Sequence, residues 1–334
     1  MKALLRWLPL FLCALTVSVS IGEPGEAASQ ERPWKPGQSV ELIMASGGVG
    51  GTYFPLAGGM AKLWKDTVPG VNVTVQATGA SVANIRLLGK NEVDLALVQN
   101  DVAAYGQAGT ESFAEKKEKY TNYLAMAALY PEPVQIVVRA DSPIRGIDDL
   151  KGKTVVVGAA GSGTELASRQ IFGVYGMTYA GGKDIKPIFL GFSEGATALR
   201  ENSADALVMV AGIPNAALAD VQTVTPIRLL PIDANRIRKQ FGFYVEFRVP
   251  AATYKGLDAD VDLVALKAML VVRDEIASQL VHEMTRALFE NAATIGHAKA
   301  KEFDGKLAAQ GVTIPFHPGA ARYLREKGIE VKSP

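Results

Sequence analysis

The fold is decided by the stretch Glu41-Leu-Ile-Met-Ala-Ser46, by the glycine loop Gly47-Gly-Val-Gly-Gly51 that follows it, and by the apolar pattern over 54–65. The first part is a short apolar run typical of a buried strand, and the last part has the spacing of a helix. The alternation continues with strands over 71–77 and 94–99 and a helix over 81–90. This succession predicts βαβ units around a largely parallel sheet, which is the α/β class.

The same pattern starts again in the second half of the chain. A strand over 154–158 leads into a second glycine loop, Gly161-Ser-Gly-Thr164, and a helix over 165–175. Each half also carries an Asn-x-x-Asp turn before a buried strand, at Asn91 and at Asn202. Chance similarity between two βαβ units would also explain this, but we predict two similar α/β lobes, each a mixed sheet flanked by helices.

The segment Tyr130-Pro-Glu-Pro133 interrupts a long apolar stretch. Two prolines exclude a helix there and would break a central strand. We therefore expect this segment to carry the first crossing between the lobes, and the residues before a strand over 266–272 to carry the second. Lobe 1 is then assigned to 38–132 together with 264–330, and lobe 2 to 133–263, joined by a two-segment hinge.

The N-terminus has the pattern of a cleaved secretory signal over 1–27. Lys2 and Arg6 precede an apolar run, and small residues follow it. Cleavage after Ala27 or after Gly22 fits, and a retained membrane anchor is the alternative. The single cysteine, Cys13, lies inside this segment, so we expect a periplasmic protein without thiols or disulfides.

Composition and motifs exclude several function classes. The 35 Lys and Arg balance 34 Asp and Glu, which argues against nucleic-acid binding. The first glycine loop lacks the Gly-Lys-Ser/Thr ending of a nucleotide-binding loop, and His282-Glu283 lacks the second histidine of a zinc-protease helix. No Gly-x-Ser-x-Gly nucleophile motif is present. We expect no catalytic residue, no metal site and no cofactor.

The candidate ligand site consists of small, hydroxyl and amide residues that follow the predicted strands. Free N–H groups and the dipole at the following helix starts suit a carboxylate. The predicted ligand-binding residues are Gly51, Thr52, Tyr53, Thr78, Ser81, Gln99, Tyr130, Ser162, Gly163, Thr164 and Asn215.

Structural explanations compete with ligand binding at several of these positions. The glycines could serve the turn geometry alone, and Tyr130 could pack at the hinge. Ser162 and Glu165 fit a capping box, with Glu165 as the partner of the cap. We expect Asp101 to cap the helix that follows the third strand.

The sequence resembles the TAXI family of solute-binding proteins, which serve tripartite TRAP transporters. The resemblance spans nearly the whole chain after the signal, in the family's order. It is carried by Gly47-Gly-Val-Gly-Gly-Thr-Tyr-Phe-Pro55, Ala77-Thr-Gly-Ala-Ser-Val-Ala-Asn-Ile-Arg-Leu-Leu88, Asp94-Leu-Ala-Leu-Val-Gln-Asn-Asp-Val102, Leu129-Tyr-Pro-Glu-Pro133, Gly161-Ser-Gly-Thr-Glu165 and Ala211-Gly-Ile-Pro-Asn-Ala-Ala217.

This resemblance implies a periplasmic-binding-protein type II fold with a ligand in the cleft between two lobes. It also implies a receptor for a small organic acid or amino acid, similar to glutamate or 2-oxoglutarate, that delivers the ligand to an ion-gradient-driven TRAP permease. We expect a monomer. Arg248 departs from the family's usual Thr-Ile-Pro-Ala-Gly-Thr-Tyr pattern and would alter ligand choice if it pointed at the cleft.

Two alternatives stay open at this stage. One is a periplasmic ligand sensor that docks on a membrane kinase, and the other is an enzyme on the same bilobal fold, because a fold does not determine a function.

Overall fold

The computed structural model describes residues 30–331, in which strands and helices alternate. The first elements are β1 (Val40–Ala45), α1 (Tyr53–Thr67), β2 (Val71–Gln76), α2 (Ser81–Gly89), β3 (Leu95–Gln99), α3 (Asn100–Ala108) and β4 (Tyr123–Arg139). The next are β5 (Thr154–Val156), α4 (Gly163–Val174), β6 (Lys186–Ile188), α5 (Phe192–Arg200), β7 (Ala206–Val210), α6 (Ala216–Val221) and β8 (Ile227–Leu229). The last are α7 (Ala234–Arg238), β9 (Val245–Val249), β10 (Val261–Arg273), α8 (Ser278–Glu290) and α9 (Pro318–Glu326).

These elements confirm the predicted βαβ succession. Among the predicted elements, the largest difference is at β10, which begins at Val261 instead of at the predicted residue 266. The predicted signal segment, with both cleavage sites and Cys13, lies outside the described residues. Within 30–331, no helix combines the length and apolar character that crossing a membrane requires.

The strand order is the same in both halves of the sheet. It runs β2-β1-β3-β10 in the first half and β6-β5-β7-β4 in the second. In each half the first three strands are parallel, and the fourth, which arrives from the other half, is antiparallel to its neighbour. Parallel strands need crossover helices, and these cover the faces of each half. The order confirms the expected two-lobed α/β fold of type II.

Two clusters of buried apolar side chains support this division. One draws mainly on residues 42–130 and 268–324, and the other on residues 134–266. We call these parts lobe 1 and lobe 2. The long strands β4 and β10 pair with each other and run through both clusters. The predicted boundaries fall inside these two strands, and their exact positions stay a prediction.

The prediction that Pro131 and Pro133 would break a strand is wrong. Both residues lie within β4, where they pair with β10. On the opposite edge, pairing with β7 begins only at Val134. A proline lacks an N–H, and on an edge without a partner strand that loss costs no ladder hydrogen bond. The crossing segment can therefore contain both prolines and stay extended.

The repeated Asn-x-x-Asp turn has the same structural role in both lobes. Asn91 and Asn202 have left-handed φ angles of 60° and 59°. The Asp94 carboxylate accepts the backbone N–H of Ile43 at 2.9 Å, and the Asp205 carboxylate accepts that of Thr154 at 2.8 Å. Each Asp thus joins the third strand of its lobe to the first, and the internal similarity is structural.

Candidate functional site

A cavity of about 90 Å³ lies where the two lobes meet. A single water needs roughly 10–15 Å³ of such space, so a small molecule fits. Nine of the predicted ligand-binding residues line the cavity, namely Gly51, Thr52, Tyr53, Thr78, Ser81, Gln99, Ser162, Gly163 and Thr164. That they contact a ligand stays a prediction.

Five helices begin at this cavity. They are α1, α2 and α3 from lobe 1 and α4 and α5 from lobe 2, and each first turn adjoins a lining residue. The first N–H groups of a helix have no partner within it, and the helix dipole places positive charge there. No Lys, Arg or His of the described residues lines the cavity. Its positive potential therefore comes from backbone N–H groups, an arrangement that suits an anion.

The chain folds this way locally because glycine-rich or short turns follow the parallel strands. At the start of α2, Ala80 has a φ of 71° and a ψ of −148°, a backbone region that costs free energy for a residue with a side chain. Ala80 itself lines the cavity. Strain of this kind concentrates at ligand sites, so it is consistent with a functional role here.

Hydroxyl groups in the cavity wall also hold the loops together. The Thr78 hydroxyl donates to Asn84 Oδ1 at 2.6 Å. Ser81 Oγ accepts the N–H of Gln99 at 3.1 Å, and Thr164 Oγ1 accepts that of Val210 at 3.2 Å. The Ser81 and Thr164 hydroxyls thus accept from the protein and keep an O–H to donate elsewhere.

Ser162 caps α4, as one of its two predicted roles required. Its Oγ accepts the Glu165 N–H at 3.0 Å. The prediction that Glu165 is the reciprocal cap partner is wrong. Its carboxylate instead accepts from the Tyr179 hydroxyl at 2.6 Å and pairs with Arg169 at 2.9 Å. Those two partners turn the side chain away from the cap.

Removing this cap should weaken lobe 2. We expect Ser162→Ala to lower the free energy of unfolding by about 1 kcal/mol, because an N-terminal N–H of α4 loses its acceptor. Ser162→Asn should keep most of the stability, since an amide oxygen can also cap. Urea unfolding of both variants, with the exposed Ser39→Ala as a control, measures this. Equal stability of Ser162→Ala and wild type would contradict the cap.

Glu132 lies in the cavity wall but is absent from the predicted ligand-binding residues. It is 1% exposed. The Tyr53 hydroxyl donates to Glu132 Oε2 at 2.8 Å, and the Tyr130 hydroxyl lies 3.5 Å from Oε1. Burial raises the pKa of Glu132 to about 8. Its position between Pro131 and Pro133 is a signal in the sequence, which on its own favours only a hinge there.

Two more polar side chains near the cavity have oxygens without a partner. Gln99 Oε1 and both carboxylate oxygens of Asp101 are buried, and none has a hydrogen bond among the described residues. Burial raises the pKa of Asp101 to about 7. The prediction that Asp101 caps α3 is wrong, because the N-cap position is Gln99 and the Asp101 side chain is fully buried.

A family model described as the NMT1-like family matches residues 44–328. The chain belongs to the NMT1-like family. Solved structures with similarity to this NMT1-like protein include the alkanesulfonate-binding protein SsuA from Xanthomonas axonopodis pv. citri bound to MOPS, with 18% identity over 86% of this chain and 84% of that one and a TM-score of 0.49.

Two further structures are similar to this NMT1-like protein. The periplasmic aliphatic sulphonate binding protein SsuA from Escherichia coli is 16% identical over 85% of this chain and 78% of that one, with a TM-score of 0.46. The substrate binding protein of an amino acid ABC transporter is 15% identical over 74% and 91% of the two chains, with a TM-score of 0.41.

The lobes of this NMT1-like protein are closed on each other. The Ala83 N–H donates to the Gly161 carbonyl at 3.0 Å, across the cleft. Farther along, Gln170 Nε2 donates to the Tyr105 hydroxyl at 3.2 Å. The approach at Gly163 is closer still, because a Cβ there would lie 2.0 Å from Gln99 Oε1. A side chain at this position would force the Gln99 amide or the start of α4 to shift.

Two predicted site residues do not line the cavity of the NMT1-like protein. Tyr130 is stacked on Phe303, with ring centroids 6.4 Å apart, which is the packing role that competed with ligand contact. Asn215 caps α6, because its Oδ1 accepts the Ala217 N–H at 2.9 Å. Arg248 is also outside the cavity. It lies on β9 and pairs with Asp262 at 2.6 Å on the surface.

Proposed function

We propose that this NMT1-like protein is an extracytoplasmic receptor that captures a small organic acid or amino acid, similar to glutamate or 2-oxoglutarate, by closing its lobes. The observation that carries the proposal is the set of five helix N-termini, from both lobes, around one cavity that no Lys, Arg or His within 30–331 lines. No catalytic residue, metal or cofactor is part of it.

Binding of a carboxylate in this cavity would require several weak hydrogen bonds acting together. An uncharged hydrogen bond contributes about 0.5–1.5 kcal/mol net, so a carboxylate held by N–H groups needs several of them. Because these groups come from both lobes, the full set is available only when the cleft is closed. Ligand binding then favours the closed state by the contacts that the open state lacks.

Delivery to an ion-gradient-driven TRAP permease, by a monomer, is the finer part of the proposal. It is supported by the TAXI-like motifs, and the signal-like pattern over 1–27 supports a periplasmic location. Of the similar proteins named above, one is an alkanesulfonate-binding protein and another is the substrate-binding protein of an amino acid ABC transporter. Uptake of the ligand into proteoliposomes with a TRAP permease, driven by a sodium gradient and dependent on this protein, would support the TRAP assignment. Uptake driven only by ATP hydrolysis would contradict it.

A thermal-unfolding screen tests the receptor function. The compounds are dicarboxylates, oxo acids, amino acids and alkanesulfonates. A ligand present at 100 times its dissociation constant should stabilise the protein by about 2.7 kcal/mol. We expect at least one small carboxylate to raise the melting temperature. Stabilisation by sulfonates alone, or by none of the compounds, would contradict the proposed ligand class.

A further inference from the structure

One part of the cavity wall offers hydrogen-bond acceptors. Among residues 30–331, the one hydrogen-bond partner of Glu132 Oε1 is the Tyr130 hydroxyl at 3.5 Å, which is at the limit of a hydrogen bond. Gln99 is 3% exposed, lines the same cavity, and its Oε1 has no donor among the described residues. These oxygens need a donor that the protein does not supply when the lobes are closed.

Burial keeps Glu132 mostly protonated near neutral pH, and its ionised form would lack a dedicated cationic partner among the described residues. Lys299 is the cation that acts on it electrostatically, and the Lys299 ammonium is bonded to Glu302. The buried carboxyl of Asp101 adds a second acid that acts on Glu132. A ligand that carried only carboxylates would offer no cation to these two acids and would disfavour their ionised forms further, because like charges repel strongly in a poorly solvated region.

An ammonium group on the ligand would resolve both deficits. It has three N–H donors and a positive charge, which would favour the ionised form of Glu132. A charged hydrogen bond to a carboxylate is about twice as strong as a neutral one. The ligand's carboxylates could then occupy the N–H groups at the helix starts, so that one zwitterion satisfies both the acceptors and the donors of the wall.

We propose that Glu132, assisted by Gln99, is the specificity-determining residue of the cavity and selects an α-amino acid over the corresponding oxo acid. This inference rests on the proposed receptor function and narrows its ligand class.

L-glutamate and 2-oxoglutarate make a matched pair of probes, because they share a carbon skeleton and both carboxylates and differ in an ammonium or a carbonyl group. Isothermal titration calorimetry near neutral pH should show tighter binding of L-glutamate to the wild type, by on the order of 10- to 100-fold. Glu132→Gln should lower the affinity for L-glutamate by a similar factor and leave the affinity for 2-oxoglutarate unchanged or raise it. Glu246→Gln, an exposed change on β9, should alter neither affinity.

Equal affinity of the wild type for both compounds overturns the inference while leaving the receptor function intact. If Glu132→Gln lowers the affinity for both compounds by the same factor, the inference is also overturned. Binding of neither compound, nor of any other small acid, overturns the receptor function and this inference together. If Glu132→Gln fails to fold, the wild-type ratio for the two compounds decides alone.

Discussion

Gly163→Ala is expected to prevent full closure of the lobes and to lower ligand affinity by on the order of 100-fold or more. The added Cβ would lie 2.0 Å from Gln99 Oε1 and 3.0 Å from Ser81 Oγ. Both neighbours belong to lobe 1 and are buried, so the Gln99 amide or the start of α4 must shift. A shift of α4 would take its N–H groups away from the ligand, and a shift of Gln99 would disturb the cavity wall.

Calorimetry with the ligand found by the thermal screen measures this effect. Gly173→Ala is the matched control, because it lies in the same helix and an added Cβ meets nothing within 4 Å. The control should bind normally and be more stable by about 0.5–1 kcal/mol. Wild-type affinity of Gly163→Ala would show that the ligand does not require the close approach of the lobes at this point.

Asp101→Asn is expected to stabilise the ligand-free protein at mildly alkaline pH by on the order of 2–4 kcal/mol. Burial raises the pKa of Asp101 from 3.8 to about 7, because the ionised carboxylate loses its hydration inside the protein. The folded protein therefore holds a proton that the unfolded chain releases between these two values. Folding stability is highest below the lower pKa, falls as pH rises toward about 7, and stays low above it.

Chemical unfolding across this pH range measures both the size and the sign of the change in the free energy of unfolding. The wild type should lose stability as pH rises, and Asp101→Asn should lose less, with little difference between the two in acid. Asp66→Asn on the exposed side of α1 is the control and should leave the profile unchanged. A variant less stable than the wild type above neutral pH would mean that ionised Asp101 has a stabilising partner.

Much of the fold could be predicted because its signals are local. The alternation of apolar runs and glycine loops reports backbone conformation and burial over a few residues at a time. The Asn91 and Asn202 turns are an example, since each places an Asp directly before the next strand and the two Asp carboxylates make equivalent hydrogen bonds. Nine cavity residues were found for the same reason, because loops after parallel strands meet at one edge.

The errors share a different cause. The local sequence predicts that Asp101 caps a helix, yet its side chain is buried. Glu165 hydrogen-bonds to Tyr179 instead of closing a capping box. Strand β4 accommodates Pro131 because no strand pairs with its other edge at that residue. Each outcome depends on what another part of the chain places beside the residue.

The sequence by itself determined the two-lobed α/β class and the loops that form the cavity, since both follow from short-range periodicity and turn chemistry. Only the tertiary structure decided which acidic side chain lines that cavity. Glu132 meets Tyr53 across 79 positions of sequence, and the lobes must close before Gln99 and Gly163 touch. Such contacts depend on how distant segments pack, and no pattern within one segment encodes them.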